Sequence, residues 1–272
     1  MPDEDQTPQK PKGFFRRFLE LPPDSVPKTV FVAVSLCLVA SMVVSAAAVA
    51  LRPTQAVNAL KDKQINILQV AGIYDPNKDV IESFAAFEPH VLELATGAFT
   101  EDFDAATFDD RAAADDPETS IALVDDPAGI GRQSKFVTVY LLRDDADQID
   151  KVILPLHGYG LWSTLYGFIA LEANGNDIFG LQFYDHAETP GLGAEVDNPR
   201  WTAQWKGKKL ADDSGELQIS VTKSVPPAGK DYHIDALAGA TLTTVGVHNL
   251  VNFWMGETGY KPFLENLRAG NL

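Results

Sequence analysis

The sequence predicts an α+β protein in which a single N-terminal transmembrane helix precedes a domain of helices packed on an antiparallel sheet. An uncharged run fills positions 30–51. Aromatic and alternating segments follow between positions 136 and 223, and a segment with helical spacing of apolar residues comes after them. Because the strand candidates come first and are not interleaved with helices, the pattern is typical of the α+β class and not of a parallel α/β sheet.

The uncharged run, VFVAVSLCLVASMVVSAAAVAL, has the length of a membrane span. At about 1.5 Å per residue it covers roughly the 30 Å hydrocarbon core of a bilayer. A secretory signal is the competing interpretation, but the run is longer than the apolar core of a signal and its small residues lie inside it. More basic residues precede the run than follow it, so we expect a cytoplasmic N-terminus and an extracytoplasmic remainder.

The region after the span is predicted to be helical at first and then acidic. Positions 60–71 and 75–100 carry apolar residues at helical spacing, while 101–126 is rich in Asp and Ala and is predicted to be a solvated loop. The predicted parts of the chain are a cytoplasmic tail (1–29), the transmembrane helix (30–51), a helical and acidic extracytoplasmic region (52–135) and the sheet domain (136–272).

The strand candidates are rich in β-branched and aromatic residues or alternate between apolar and polar ones. They are FVTVYLL (136–142), residues 151–156, WSTLYGFIAL (162–171), DIFGLQFY (177–184) and ELQISVTK (216–223). The third and fourth are separated by Asn174-Gly175-Asn176, which predicts a β-hairpin because Asn and Gly adopt the positive φ angles of tight turns.

Charge and cysteine content exclude several classes of function. The formal net charge is −16, which argues against a nucleic-acid partner, since phosphate backbones are bound by clustered Lys and Arg. The single cysteine, Cys37, cannot form a disulfide within the chain. It is either a structural residue facing lipid or another helix, or part of a redox centre shared with another subunit. The chain also has no Gly-x-Gly-x-x-Gly segment after a strand, so it offers no evidence of NAD binding.

Two segments carry the candidate chemistry. Residues 235–244, DALAGATLTT, have the small residues and hydroxyls of a helix start, and the apolar spacing behind them predicts a helix to about Gly256. Thr241 is an ordinary N-cap in one interpretation, and in the other the helix N-terminus holds a phosphate. Residues 186–193, HAETPGLG, form a Pro-Gly loop whose backbone can approach a flat ligand closely.

The first segment resembles the flavinylation motif Asp-x-x-(Ser/Thr)-Gly-Ala-Thr-x-(Ser/Thr), with Ala238 in place of the Ser or Thr. In proteins with this motif FMN is bound covalently through a phosphoester to the threonine after Gly-Ala, which corresponds to Thr241 after Gly239 and Ala240. The loop Glu-Thr-Pro-Gly-Leu-Gly from Glu188, Leu-Gln-Val-Ala-Gly from Leu68 and Gly-Leu-Trp-Ser-Thr-Leu-Tyr-Gly from Gly160 extend the likeness. The chain thus resembles the C subunits of sodium-translocating NADH:quinone oxidoreductases.

The resemblance implies further site residues, each with an ordinary alternative. The residues implied to line or approach the flavin are Glu188, Thr189, Gly191, Leu192, Trp162, Leu165, Tyr166 and Lys223. The aromatic residues are equally compatible with the core of the hairpin. Lys223 is either a charge near the N1/C2 carbonyl region of the ring or a surface lysine.

By the same resemblance, the chain is an electron-transfer subunit in a bacterial inner membrane, with its C-terminal domain in the periplasm. Electrons pass through other membrane subunits of the complex, and a separate FAD-dependent flavin transferase attaches the FMN. The chain alone is not expected to be catalytic. The alternatives are the related G subunit of the Rnf complex, which shares the flavin motif, and a membrane-anchored binding or assembly module in which residues 235–244 only start a helix.

Overall fold

The computed structural model describes residues 18, 20–22 and 25–272. The chain divides into two compact units, Met1–Ala59 and Leu60–Leu272. Most of the predicted tail, residues 1–29, lies outside the described residues.

The first unit contains most of the helix α1, which runs over Val26–Val70. This helix is long and apolar enough to cross a membrane: its most apolar window has a mean hydropathy of 2.5, and none of that window is buried. The predicted span, 30–51, lies inside α1. Cys37 is exposed on the same helix.

The second unit is built on a six-stranded antiparallel sheet. Its strands, in spatial order, are β2 (Ala98–Thr100), β1 (Phe87–Glu93), β5 (Phe136–Arg143), β6 (Ile149–Tyr159), β7 (Thr164–Glu172) and β8 (Ile178–Asp185). Two small sheets accompany it, β3 (Ser120–Ala122) with β4 (Arg132–Ser134), and β9 (Ser220–Thr222) with β10 (His233–Asp235). The remaining α-helices are α2 (Val80–Phe84), α3 (Asp110–Asp115), α4 (Pro199–Thr202), α5 (Thr241–Met255) and α6 (Lys261–Ala269).

Both faces of the large sheet are covered, because alternate residues of each strand point to opposite sides. In β7, Leu165 and Ile169 belong to the larger core, which also contains Leu250 of α5. Phe168 belongs to a second core together with Ile67 from the last turns of α1. One face, here called the α5 face, therefore packs on α5, and the opposite face, here called the α1 face, packs on the end of α1.

The hairpin prediction is confirmed by β7 and β8. The side-chain oxygen of Asn174 accepts hydrogen bonds from the N–H groups of Asn176 and Asp177, both at 2.9 Å. Gly175 has a φ of 62°, in the left-handed region that favours glycine. Local turn chemistry thus sets the register between these two strands.

The prediction that positions 75–100 continue as helix is wrong for most of that range. Only α2 is helical there, and β1 and β2 follow it. Residues of β1 pair one to one with β5, from Phe87 opposite Leu142 to Glu93 opposite Phe136. This long-range pairing overrides the weak helical spacing of the sequence, because strand preference depends on the neighbouring strands. The large sheet consequently begins well before the expected boundary at residue 136.

Two further predictions need adjustment. The acidic stretch 101–126 is largely irregular, as expected, but it contains α3 and β3. The strand expected over 216–223 is only the three-residue β9, which pairs in parallel with β10 and lies outside the large antiparallel sheet.

Candidate functional site

The start of α5 leaves one threonine hydroxyl available. Gly239 has a φ of +75°, and Ala240 is the residue that caps the helix, without a side-chain hydrogen bond. The Thr244 hydroxyl accepts from the Leu237 N–H at 3.1 Å and donates to the Ala240 carbonyl at 2.9 Å. Thr241 is the first helical residue and is exposed. The interpretation of Thr241 as a simple N-cap is therefore wrong, because Ala240 holds the N-cap position and Thr241 is already helical.

A buried carboxylate, Glu188, joins the start of α5 to two loops. Its Oε1 accepts hydrogen bonds from the N–H groups of Leu161 and Trp162, both at 2.9 Å, and of Ser163 at 3.4 Å. Its Oε2 accepts from the Thr243 hydroxyl at 2.7 Å. Glu188 is only 5% exposed. One side chain thus holds together the loop between β6 and β7, the loop after β8 and the first turn of α5.

The charge of Glu188 is stabilised by these donors. Burial acts to raise the pKa of its carboxyl, but the hydrogen bonds from the Trp162 N–H, the Thr243 hydroxyl and the other two amides outweigh burial and lower the pKa below its ordinary value. The carboxylate is therefore ionised at neutral pH and fully engaged by groups of its own chain.

Glycines allow the three segments to approach this carboxylate. A Cβ on Gly160 would lie 2.6 Å from the Glu188 Oε1, and one on Gly193 would lie 2.6 Å from the Thr243 hydroxyl. These distances are shorter than any real contact of a Cβ atom. The second glycine of the Pro-Gly loop is thus required by packing, whereas Gly191, with a φ of +74°, has open space around it.

The three joined segments expose an unusual amount of apolar side chain. The exposed residues are Leu161 (36%), Trp162 (65%), Leu192 (44%), Leu242 (60%) and Val245 (47%). Leu192 lies beside the turn that precedes Thr241, since a Cβ on Gly239 would be 3.2 Å from its Cδ2 atom. Exposed apolar side chains on adjoining segments are typical of a surface that a ligand or a partner covers.

This arrangement fits an esterified phosphate with a flat apolar group attached to it. The first i to i−4 bond of α5 runs from the Thr244 N–H to the Ala240 carbonyl, so the N–H groups of Thr241, Leu242 and Thr243 precede it. Unpaired N–H groups and the helix dipole favour an anion at such a terminus. The apolar side chains nearby can contact a planar ring. The Glu188 carboxylate is already paired with hydrogen-bond donors of its own chain.

The other residues implied by the resemblance lie at different distances from the segments that Glu188 joins. Thr189 is exposed, and its carbonyl accepts the N–H groups of Leu192 and Ala194 at 3.1 Å, which shapes the Pro-Gly loop. Leu165 is fully buried beneath Gly160. Lys223 is exposed directly after β9, where the Ala236 N–H donates to the Thr222 carbonyl at 3.1 Å. Lys223 is therefore next to the start of the segment that leads to Thr241.

Tyr166 lies apart from the residues around Glu188. It follows Leu165 in β7 and lies two residues before Phe168, so strand alternation puts it on the α1 face of the sheet. The guanidinium of Arg111, from α3, lies 3.5 Å from the centre of its ring, and the His157 ring stacks on it at 5.4 Å. Arg111 also donates to the Asp185 carboxylate at 3.0 Å and to the Tyr184 hydroxyl at 3.4 Å. The structure therefore does not bring the Tyr166 ring together with the other predicted residues.

Sequence reasoning missed the parts played by Thr243, His186 and Asp197. Thr243 was one of three neighbouring hydroxyls, and nothing in the sequence indicated that it meets a carboxylate 55 positions away. His186 contacts Asp197 at 2.7 Å through its Nε2 atom. Burial raises the pKa of Asp197, and this hydrogen bond opposes the rise. The sequence offers only one signal for this contact, a histidine as the first residue of the Pro-Gly loop.

Comparison with known proteins gives matches over most of the chain. The model of the FMN-binding domain family matches residues 160–256. The C subunit of the Na(+)-translocating NADH-quinone reductase of Yersinia pestis is 48% identical over 255 residues, which cover 92% of this chain and 96% of the relative. The corresponding C subunit of Pseudomonas aeruginosa is 48% identical over 256 residues, covering 91% of this chain and 98% of the relative.

Two solved structures of C subunits are also similar to this chain. The crystal structure of Shewanella oneidensis NqrC has a TM-score of 0.72 and 35% identity, and the match covers 78% of this chain and 99% of that one. The crystal structure of the C subunit of the Parabacteroides distasonis enzyme has a TM-score of 0.63 and 30% identity, with 79% of this chain and 96% of that one covered.

Proposed function

Because the chain belongs to the family of Na(+)-translocating NADH-quinone reductase C subunits, we propose that it carries FMN covalently, through a phosphoester to Thr241. The match to the FMN-binding domain supports FMN as the cofactor of this electron-transfer subunit. The relatives from Yersinia pestis and Pseudomonas aeruginosa bear the name of the sodium-translocating complex, which favours this assignment over an Rnf-type subunit.

One observation carries the choice of Thr241. Of the three threonines at the start of α5, Thr243 donates its hydroxyl to Glu188, and the Thr244 hydroxyl bonds the Leu237 N–H and the Ala240 carbonyl. Both are buried, whereas Thr241 is exposed and its hydroxyl makes no hydrogen bond within the described part of the chain. Availability and motif position therefore point to the same residue.

The attachment reaction balances with FAD as the flavin donor. The Thr241 oxygen displaces AMP from the phosphoanhydride of FAD, so one P–O bond forms, one breaks, and the hydroxyl proton is released. We propose that a separate flavin transferase catalyses this step. FMN supplies the one- and two-electron chemistry of the subunit. The chain itself supplies the anion-binding helix terminus, the apolar side chains near the ring and the Glu188 contacts that hold them.

Membrane anchoring follows from α1, and we propose an orientation for it. In this orientation the N-terminus lies in the cytoplasm of a bacterial inner membrane and the second unit in the periplasm, which the excess of basic residues before the span supports. With a tag on the C-terminus, protease added to cells with a permeabilised outer membrane is expected to degrade the second unit. A fully protected C-terminal domain would contradict the orientation.

The covalent assignment is tested by four variants expressed together with a flavin transferase. Thr241→Ala is expected to lose all flavin fluorescence from the denatured chain, and Thr241→Ser is expected to keep it because the hydroxyl remains. Thr243→Ala and Thr244→Ala are expected to stay flavinylated. Flavin fluorescence on a denaturing gel distinguishes covalently attached flavin from flavin that is bound without a covalent bond. A Thr241→Ala chain that retains its fluorescence would end the proposal.

A further inference from the structure

The loop that carries the Pro-Gly segment is closed at its base by a histidine and an aspartate. The Glu188 N–H donates to the Nδ1 atom of His186 at 3.2 Å. The Nε2 atom of the same ring lies 2.7 Å from the Asp197 Oδ2 atom. Since Nδ1 accepts a hydrogen bond, the proton of a neutral ring is on Nε2, which donates to Asp197. The His186 side chain is 9% exposed.

We propose that His186 is a positioning residue for the flavin site, which sets the backbone of Glu188 so that its carboxylate can hold the other two segments. The inference rests on the proposed function, because it concerns the surface on which the flavin is expected to lie. Asp197 fixes the tautomer and orientation of the ring.

The geometry shows why this contact controls the site. Thr189, Gly191 and Leu192 all lie between the two ends that His186 and Asp197 join. Asp197 ends the short 3-10 helix Gly193–Asp197, which begins directly after Leu192. The Glu188 backbone is held on one side by His186, and its side chain reaches Leu161, Trp162 and Thr243 on the other. A shift of the Glu188 backbone therefore moves the partners of its carboxylate and the exposed Leu192 together.

Two substitutions of His186 each remove one of the two hydrogen bonds of the ring and keep the other. In His186→Asn the side-chain oxygen takes the place of Nδ1 and can still accept the Glu188 N–H, while the contact with Asp197 is lost. In His186→Gln the amide nitrogen takes the place of Nε2 and can reach Asp197, but no acceptor remains for Glu188. The two variants are alike in size and polarity, so each serves as the control of the other.

Hydrogen exchange of the full-length chain in detergent tests the contact without any flavin. In His186→Gln, the amides of residues 161–163 are expected to exchange on the order of tenfold faster than in the wild type, the change that the loss of one such hydrogen bond gives. In His186→Asn they are expected to stay within about twofold of the wild type. Equal exchange in both variants, whether slow or fast, would overturn the proposal.

Two further measurements can still contradict the proposal if a variant folds poorly. Nitrogen NMR of the wild-type chain is expected to show His186 protonated on Nε2, and a ring protonated on Nδ1 would overturn the proposal. In flavinylated chains, the visible circular dichroism of the flavin is expected to be lost in His186→Gln and retained in His186→Asn at equal flavin content. Unchanged dichroism in His186→Gln would also overturn it. A wild-type chain without covalent flavin would instead refute the proposed function, and the exchange experiment would still decide the role of His186.

Discussion

Glu188 and Arg111 each attach a segment from outside the large sheet to that sheet, and they do so in different ways. Glu188 is 5% exposed, and three of its four donors are backbone N–H groups. The Arg111 side chain is 47% exposed, and its partners are side chains: the Tyr166 ring, the Tyr184 hydroxyl and the Asp185 carboxylate.

The difference shows which attachment is rigid. A buried carboxylate with several hydrogen bonds leaves its donors without an acceptor when it is removed, and a donor left unpaired in the interior, such as the Thr243 hydroxyl, destabilises the fold. A half-exposed guanidinium leaves groups that water can reach, so its ion pair and ring contact contribute little. The candidate flavin site is thus held by the stronger of these two attachments.

The largest expected effect comes from removing Glu188. Glu188→Ala is expected to lower the free energy of unfolding of the second unit by about 3 kcal/mol, because three backbone N–H groups and the buried Thr243 hydroxyl lose a charged acceptor. Glu188→Gln keeps one acceptor oxygen and is expected to lose about half as much. Urea unfolding followed by tryptophan fluorescence measures both. A loss below about 1 kcal/mol in Glu188→Ala would remove the basis of the comparison.

The next effect is the pH dependence of the free energy of unfolding, to which Asp110 and Glu188 contribute with opposite signs. Burial raises the pKa of Asp110, beside Arg111, to about 6, against the opposing charge of Lys63 and the hydrogen bonds from Thr138. A raised pKa means that the charged form is disfavoured in the fold. Asp110 therefore lowers stability above about pH 6, and this penalty disappears as the pH falls through 6 towards the ordinary value of 3.8. The lowered pKa of Glu188 acts oppositely: its contribution is present above its ordinary value of 4.5 and is lost as the pH falls through the lowered value.

Asp110→Asn is accordingly expected to stabilise the second unit at pH 7.5 by about 1–2 kcal/mol, since Asn keeps an acceptor for Thr138 without the buried charge. Near pH 4 the gain is expected to vanish. Urea unfolding at the two pH values measures it, and Asp109→Asn, at the neighbouring exposed N-cap, provides the control. A loss of stability in Asp110→Asn at pH 7.5 would show that the carboxylate is held favourably, as Glu188 is.

The smallest effect is expected for Arg111. Arg111→Gln is expected to lower the free energy of unfolding by about 1 kcal/mol or less, the sum of an exposed ring contact and an exposed ion pair. Arg111→Lys keeps the charge but not the planar group, so it should lose less than Arg111→Gln. Urea unfolding measures both, and covalent flavin content should not change in either variant. A loss as large as that in Glu188→Ala, or a loss of flavin, would show that the two attachments are equivalent.

The parts of the fold predicted from sequence are those with local causes. The hairpin at Asn174-Gly175-Asn176 and the helix after Thr241 depend on turn chemistry and apolar spacing within a few residues. The strand β1 was missed because it exists through pairing with β5, in which Glu93 meets Phe136 from a distant part of the chain. The sequence predicts that Arg111 lies in a solvated loop, because nothing in an acidic stretch indicates that its guanidinium contacts the distant Tyr166 ring.

The candidate site was predicted through its motifs, and its internal geometry was not. The motifs gave Thr241, Glu188 and Leu192 as members of one site. They did not indicate that the Glu188 carboxylate contacts Thr243 and backbone amides, because hydrogen bonds between distant segments leave no periodic pattern in a sequence. The resemblance implies Tyr166 together with Trp162 and Leu165, but it does not indicate on which face each side chain lies, and successive residues of a strand point to opposite faces.

Peptide mapping by mass spectrometry tests the central claim most directly. Trypsin releases residues 231–268, since cleavage after Lys261 is blocked by Pro262, and this peptide contains Thr241, Thr243, Thr244 and Thr258. For chain made together with a flavin transferase, fragmentation is expected to place the mass of FMN less one water on Thr241 alone. FMN on Thr243, Thr244 or Thr258, or an unmodified peptide from a chain whose flavin is released by denaturation, would contradict the account.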